Sequence, residues 1–148
     1  MKKLLCTICA RSGSKGIKNK NLLKINGKPL FYYTLMQAKT NKLIDNIVLS
    51  TDSKKISKEF EKFGLSSFFI RSKNLSSSKA GKVPVIRDAL LKAEDYYKQR
   101  YDYIIDLDIT SPLRLNKDIN SAFKKFLNNN ADILFSVCEA KKNPYFNM

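Results

Sequence analysis

Short apolar runs and longer amphipathic stretches take turns along the chain. The apolar runs predict buried strands at 4–9, 46–50, 67–70, 103–108 and 133–137. Between them, apolar residues recur at helical spacing in four stretches. The first starts at Pro29, the second ends before Gly64, the third starts at Pro84 and the fourth covers 118–128. Strands that alternate with helices predict an α/β fold of Rossmann-like type, with a mainly parallel sheet and helices on both faces.

Each predicted helix has one apolar side that we assign to the core. These inward residues are Leu30, Phe31, Leu35 and Ala38 in the first helix, Ile56, Phe60 and Phe63 in the second, Val83, Ile86, Leu90, Ala93 and Tyr97 in the third, and Ile119, Ala122, Phe123, Phe126 and Leu127 in the last. The serine-rich stretch 76–82 is expected to be a loop.

Composition supports a folded domain and raises the question of an anionic partner. A chain of 148 residues with 43% hydrophobic content can bury a core. Its net charge of +15 suggests a polyanionic partner. Against this, the lysines are scattered over predicted helix surfaces, and only five arginines are present, whereas proteins that read nucleic acid usually rely on arginine as well. Binding of nucleic acid is therefore the alternative of a different class, to be tested by salt-dependent retention on DNA.

The three cysteines favour a reducing compartment and carry no chemistry. Cys6 and Cys9 lie three apart on a predicted strand, so their thiols point to opposite faces, and the chain has no histidine to complete a zinc site. The apolar stretch near the N-terminus is too short for export and no stretch could cross a bilayer. We expect a cytoplasmic protein without a membrane partner.

A small basic loop follows the first predicted strand. It spans residues 10–21 and reads Ala-Arg-Ser-Gly-Ser-Lys-Gly-Ile-Lys-Asn-Lys-Asn. Backbone N–H groups together with cations suit a polyphosphate. The segment matches neither the dinucleotide-binding glycine pattern nor a P-loop, and an ordinary basic surface turn is the alternative.

Ligands of parallel sheets bind beyond the carboxyl ends of the strands. That rule brings the basic loop together with three other segments, which are 51–52, Arg71 and 106–114. Five blocks in this part of the chain, at 10–16, 20–21, 27–30, 50–52 and 110–114, resemble the ordered signature of the CMP-sialate synthetases, or acylneuraminate cytidylyltransferases. Within that family the chain is most similar to the CMP-legionaminate synthetases.

The resemblance implies a nucleotidyltransferase that moves CMP from CTP to a nonulosonic, sialic-acid-like sugar and releases pyrophosphate, with Mg²⁺ as cofactor. The sugar's anomeric hydroxyl attacks the α-phosphorus, so no covalent nucleophile is needed. Cytidylyl transfer to 3-deoxy-manno-octulosonate is the related alternative, and a non-catalytic CTP-binding fragment is another. The resemblance also implies a homodimer.

By matching position, the resemblance assigns the nucleotide site. Arg11, Lys15 and Lys20 would be the catalytic cations that hold the triphosphate. Loop geometry and main-chain donors would come from Ala10, Ser12, Gly13 and Ser14. Asn21 would fix the nucleotide or the loop, and Arg71 would contact the cytidine end.

The sugar and metal assignments rest on the end of the fourth predicted strand and the segment that follows it. Asp108 stands where the family commonly has glutamine, and we expect it to bind the sugar, with a metal contact or help in deprotonating the sugar hydroxyl as the alternatives. Asp106 points to the same face of the strand, so the two could share a metal ion, with satisfaction of Asp106 by backbone N–H groups as the alternative. Arg114 would bind pyrophosphate or the sugar carboxylate, or anchor the Ser111–Pro112 turn.

Three further residues complete the expectations. Asp52 is expected to cap the next helix and stays outside the site. Ser78 and Lys82 depart from the aspartate and serine common in the family. We expect one nucleotidyltransferase domain over 1–148, truncated at its C-terminus, that binds CTP with weak or absent turnover.

Overall fold

The computed structural model of the protein describes residues 2–13, 17 and 19–139. The chain divides into two compact units between Arg114 and Leu115. All of the described strands lie in the first unit.

Three parallel strands form the sheet of the first unit, and two short strands form a separate hairpin. The strands are β1 (Leu4–Ala10), β2 (Lys24–Ile25), β3 (Lys28–Pro29), β4 (Asn46–Thr51) and β5 (Tyr103–Asp106). The sheet has the order β4-β1-β5, and Cys6 of β1 pairs with Ile47 and Ile105. Asn26 and Gly27 both have positive φ, as a tight turn between β2 and β3 requires.

The helices of the first unit are α1 (Leu30–Thr40), α2 (Lys54–Glu61), α3 (Lys73–Ser76) and α4 (Lys82–Tyr97), and a single 3₁₀ turn covers Lys20–Leu22. The second unit contains α5 (Asn116–Asn128). Within the described part of the chain, no helix has the length and apolar character that a membrane crossing needs.

The central strand anchors the core, because it has a neighbour on each side. Leu5 is fully buried and packs in one cluster with Val48, Ala89 and Ala93, which ties α4 to the sheet. Phe31 of α1 stacks on Phe60 of α2, with ring centroids 3.9 Å apart. The predicted parallel sheet with helices is confirmed.

The predicted strand at 67–70 is wrong. Ser67 donates its hydroxyl proton to the carbonyl of Leu49 on β4, so a side chain takes the place of a strand N–H there. Phe68 stacks on Tyr96 with ring centroids 4.1 Å apart. Aromatic packing rather than a ladder partly buries this stretch.

The predicted strand at 133–137 is also wrong. This stretch is irregular, and its apolar side chains are exposed, with Val137 at 86%. A strand needs a neighbour for its backbone groups, and the described part of the second unit contains a helix but no strand.

The core face of α4 agrees only in part with the predicted one. Ala93 is buried, and Leu90 and Tyr97 pack against the core cluster, as predicted. Val83 is 67% exposed, and the other buried positions are Val85 and Ala89. The helix begins at Lys82 and α3 ends at Ser76, so the loop predicted at 76–82 covers only 77–81. Gly64 lies in a turn after α2, and its N–H donates to the carbonyl of Glu61, where the helix ends.

Candidate active site

A cavity of about 620 Å³ opens beside the carboxyl ends of the parallel strands. Its lining contains five of the predicted site residues and one lysine that the prediction left outside. These polar lining residues are Arg11, Lys20, Asn21, Arg71, Asp108 and Lys82. The structure therefore brings together segments that the strand-end rule placed at one edge.

The loop after β1 is held from two sides. The backbone N–H and the hydroxyl of Ser12 each donate to the Asp52 carboxylate, and both distances are 2.8 Å. Asn21 is buried and donates from Nδ2 to the carbonyl of Arg11 at 3.3 Å. Of the alternatives for Asn21, the contact with the loop is present.

Several of the predicted loop residues are not part of the cavity wall. Ala10 is fully buried at the end of β1, and Ser12 and Gly13 are exposed outside the lining. Ser14 and Lys15 lie outside the described residues. The triphosphate roles of these residues stay predictions, as do those of Arg11 and Lys20.

Asp52 does not cap the helix that follows it, so that expectation is wrong. Ser53 is the N-cap of α2, and its Oγ accepts from the N–H of Ile56 at 3.3 Å. Asp52 ends up bound to Ser12 because the end of β4 lies beside the end of β1 in the parallel sheet. Its position directly after β4 was the signal that could have linked it to the loop.

Arg71 is a buried cation in the cavity wall. It is only 6% exposed, and its Nη2 donates to the carbonyl of Ser50 at 2.7 Å. Among the residues that the structure describes, none accepts a hydrogen bond from its buried Nε. A buried donor without an acceptor is costly, so Arg71 retains the capacity to donate to a ligand in the cavity.

The two carboxylates at the end of β5, those of Asp106 and Asp108, share a cation, and it is a lysine. Nζ of Lys82 lies 2.7 Å from Oδ2 of Asp106 and 2.5 Å from Oδ1 of Asp108. Oδ1 of Asp106 accepts from the hydroxyl of Thr7 at 2.8 Å, so side chains rather than backbone N–H groups satisfy this residue. Burial lowers the pKa of Lys82, but hydrogen bonds and charges of both aspartates outweigh burial and raise that pKa above its usual value.

A metal ion at this pair would compete with Lys82. Carboxylate oxygens are the ligands that Mg²⁺ prefers, so the chemistry of the two side chains fits. The described residues contain no cluster of three or more histidine, cysteine or acidic side chains that could hold a metal ion. The assignment of Asp106 and Asp108 to a metal stays a prediction, and it requires Lys82 to move.

Arg114 is not in the cavity lining. Its Nη2 donates to the carbonyl of Asp108 at 3.2 Å, and Gln37 donates to the carbonyl of Pro112 at 2.8 Å. These contacts anchor the turn at Ser111–Pro112, which was the alternative role for Arg114. Its contact with a sugar stays a prediction.

Cys9 lines the cavity without being activated. Burial, followed by the charge of Asp106, raises the pKa of its thiol to about 12. A thiol that stays protonated is a poor nucleophile. The two cysteines of β1 are free, as expected of ordinary strand residues.

Comparison with known proteins gives matches over nearly the whole chain. A family model described as "Cytidylyltransferase" matches residues 5–146. The "Post-translational flagellin modification protein B" of Campylobacter coli is 50% identical over the whole of this chain. The "CMP-N,N'-diacetyllegionaminic acid synthase" of Campylobacter jejuni is 45% identical over the same length. The chain spans 63% of each of these two relatives.

Solved structures share the fold. A CMP:2-keto-3-deoxy-manno-octonic acid synthetase complexed with CTP superimposes with a TM-score of 0.68 and 22% identity, over 88% of this chain and 49% of that one. A cytidylyltransferase from Leptospira borgpetersenii gives a TM-score of 0.65 and 26% identity, over 87% of this chain and 50% of that one. The predicted fold class is therefore confirmed.

Proposed function

The chain belongs to the cytidylyltransferase family, and from this we propose that it serves the transfer of CMP from CTP to a nonulosonic, sialic-acid-like sugar. The observation that carries the proposal is the cavity wall in which Arg11, Lys20 and Arg71 converge beside the strand ends. Its volume of about 620 Å³ suits a nucleotide-sized ligand.

In the proposed reaction, the chain's own residues position charge rather than form covalent bonds. Arg11 and Lys20 hold the triphosphate, and Arg71 donates to the cytidine end. The anomeric hydroxyl of the sugar loses its proton to water, and its oxygen forms a bond to the α-phosphorus while the bond from the α-phosphorus to the oxygen bridging the β-phosphate breaks and pyrophosphate leaves. Cations fixed in place before the reaction stabilise the negative charge that develops on that leaving group.

The sugar is proposed to contact Asp108. This carboxylate is 61% exposed at the side-chain level, and only one of its oxygens is bound to Lys82, so the other oxygen can accept a hydrogen bond from a sugar hydroxyl. We extend the acceptor class from the relatives, one of which is named for diacetyllegionaminic acid. Mg²⁺, which neutralises phosphate charge when it is bound, is proposed to enter with CTP.

The setting of the reaction is also part of the proposal. We place the protein in the cytoplasm, since CTP is its donor substrate. A homodimer stays a prediction that light scattering would test.

Thermal shift measurements with CTP and ATP, each with Mg²⁺, test the nucleotide. Ligand at about 100 times its dissociation constant stabilises a protein by about 2.7 kcal/mol, so CTP should raise the melting temperature in a concentration-dependent way and ATP should not. Arg71→Met should abolish the CTP shift. Arg100→Met is the matched control, because Arg100 pairs with Glu94 away from the cavity. An equal response to both nucleotides, or a CTP shift that survives Arg71→Met, contradicts the proposal.

Pyrophosphate release then identifies the acceptor. The panel contains several nonulosonic acids and 3-deoxy-manno-octulosonate, and we expect a preference for the nonulosonic acids. A preference for the octulosonate would favour the related alternative. Retention on DNA that falls with salt, together with no CTP shift, would favour the nucleic-acid alternative.

A further inference from the structure

The ammonium group of Lys82 lies between two carboxylates at the wall of the cavity. It is 2.7 Å from Asp106 and 2.5 Å from Asp108, and these two residues lie far from it along the chain. A lysine ammonium is a compact charge with three donors, so it can bind one oxygen of each carboxylate at the same time. We propose that Lys82 is the resident cation of this pair and that a divalent cation binds the pair only by displacing it.

The place of Lys82 on its helix supports a specific pairing. Lys82 is the first residue of α4, and the N-cap residue Gly81 provides no side-chain cap. The helix dipole disfavours a positive charge at this end. Lys92 shows the ordinary case, since it pairs with Asp88 one turn earlier on the same helix. Lys82 is therefore held at an unfavourable position by carboxylates from another part of the fold.

The oxygen atoms of the pair show why the two cations exclude each other. Oδ1 of Asp106 already accepts from Thr7 and from the thiol of Cys9. Oδ2 of Asp106 and Oδ1 of Asp108 are the atoms that Lys82 binds. A divalent cation that bridges the two residues needs Oδ2 of Asp106, which Lys82 binds, and an oxygen of Asp108, each at about 2.1 Å, where the ammonium would repel it.

The exposure of the three groups sets the size of the effect. The side chains of Lys82 and Asp108 are 44% and 61% exposed, while that of Asp106 is 15% exposed. Water screens such ion pairs, so each contributes only modestly. We expect removal of the ammonium to tighten divalent binding about tenfold, rather than by several orders of magnitude.

Mn²⁺ binding to the purified protein, followed by electron paramagnetic resonance without nucleotide, tests the competition. Lys82→Met should lower the dissociation constant about tenfold, whereas Lys82→Arg, which keeps a cation, should stay at the wild-type value. The double variant Lys82→Met/Asp108→Asn should lose the gain. Lys98→Met is the matched control, since Lys98 pairs with Asp95 on the surface, outside the cavity, and should leave Mn²⁺ binding unchanged.

Circular dichroism first shows whether the variants are folded, and a Lys82→Met protein that unfolds is replaced by Lys82→Gln. With folded variants, each outcome supports or overturns the competition between Lys82 and the divalent cation. Equal or weaker Mn²⁺ binding in the neutral variant overturns the proposal. So does a gain that persists in the double variant, because the ion would then bind elsewhere. Since no nucleotide is present, failure here leaves the proposed CTP site untouched, and failure of CTP binding leaves this result untouched.

Discussion

Replacement of Asp52 by alanine tests whether the loop after β1 is positioned from β4. The Asp52 carboxylate accepts from both the N–H and the hydroxyl of Ser12, and each distance is 2.8 Å. Without this acceptor, the loop that leads from Arg11 towards Lys20 loses one of the attachments of its described residues. Another attachment is the contact from Asn21 to the carbonyl of Arg11.

The expected loss follows from the two hydrogen bonds. A hydrogen bond to a charged group contributes about 1.5–3 kcal/mol when it is shielded from water, but Ser12 is exposed. We therefore assign about 0.7 kcal/mol to each of the two bonds, the lower part of the ordinary range, or about 1.4 kcal/mol together. If ordering the loop is part of CTP binding, this loss raises the CTP dissociation constant about tenfold.

Two measurements separate the loop from the nucleotide. Amide hydrogen exchange at Ser12 should accelerate in Asp52→Ala, and calorimetry should show the weaker CTP binding. Asp45→Ala is the matched control, because Asp45 accepts two bonds of 2.8 Å, from Lys3 and Leu4, at the opposite end of β1. Unchanged exchange at Ser12 in Asp52→Ala refutes the reasoning, and so does an equal loss of CTP affinity in the control.

Three further predictions concern thiols, packing and pH. At about pH 8, iodoacetamide should modify the exposed Cys138 and leave Cys9 intact, because burial raises the pKa of Cys9 to about 12; equal labelling by mass spectrometry would contradict this. Phe31→Ala should cost about 3–5 kcal/mol in urea unfolding, since this fully buried ring stacks on another, and a loss below about 1 kcal/mol would show that the site collapses. The hydrogen bond from Lys3 lowers the pKa of Asp45. The ionised carboxylate therefore stabilises the fold above its usual pKa of 3.8, and this contribution is lost as the pH falls through the lowered pKa. Asp45→Asn should flatten the dependence of the free energy of unfolding on pH in this acid range.

The central strands could be predicted because burial on both faces leaves a continuous apolar run. The residues of β1 from Leu4 to Ile8 are buried on both sides of the sheet, so the run itself is the signal. The run at 67–70 looks alike in sequence, yet Phe68 is only partly buried, and it stacks on Tyr96. Apolar content predicts burial, and it cannot distinguish a ladder from aromatic packing.

The location of the site could be predicted more completely than the partners of its side chains. The strand-end rule placed Arg11 and Asp108 at one edge, and they line one cavity. Arg71 lines it too, but it follows no strand and lies there because its N–H donates to the carbonyl of Thr51 at the end of β4. The rule could not tell that Asp52 would bind Ser12, because this depends on side-chain direction after the strand has ended. Lys82 was left outside because it lay in a predicted loop and departs from the serine common in the family, whereas the structure begins α4 at this residue.

The Lys82 pair also explains how carboxylates can belong to a cavity that is proposed to bind phosphates. Two bare carboxylates would repel a triphosphate, whereas the ammonium cancels one of their two charges. Loss of that ammonium should therefore weaken CTP binding without divalent cations while it tightens Mn²⁺ binding. Local damage to the cavity would instead weaken the binding of both ligands. Calorimetry of Lys82→Met with CTP and with Mn²⁺ in turn therefore distinguishes the two cases, because charge compensation changes the two affinities in opposite directions and damage lowers both.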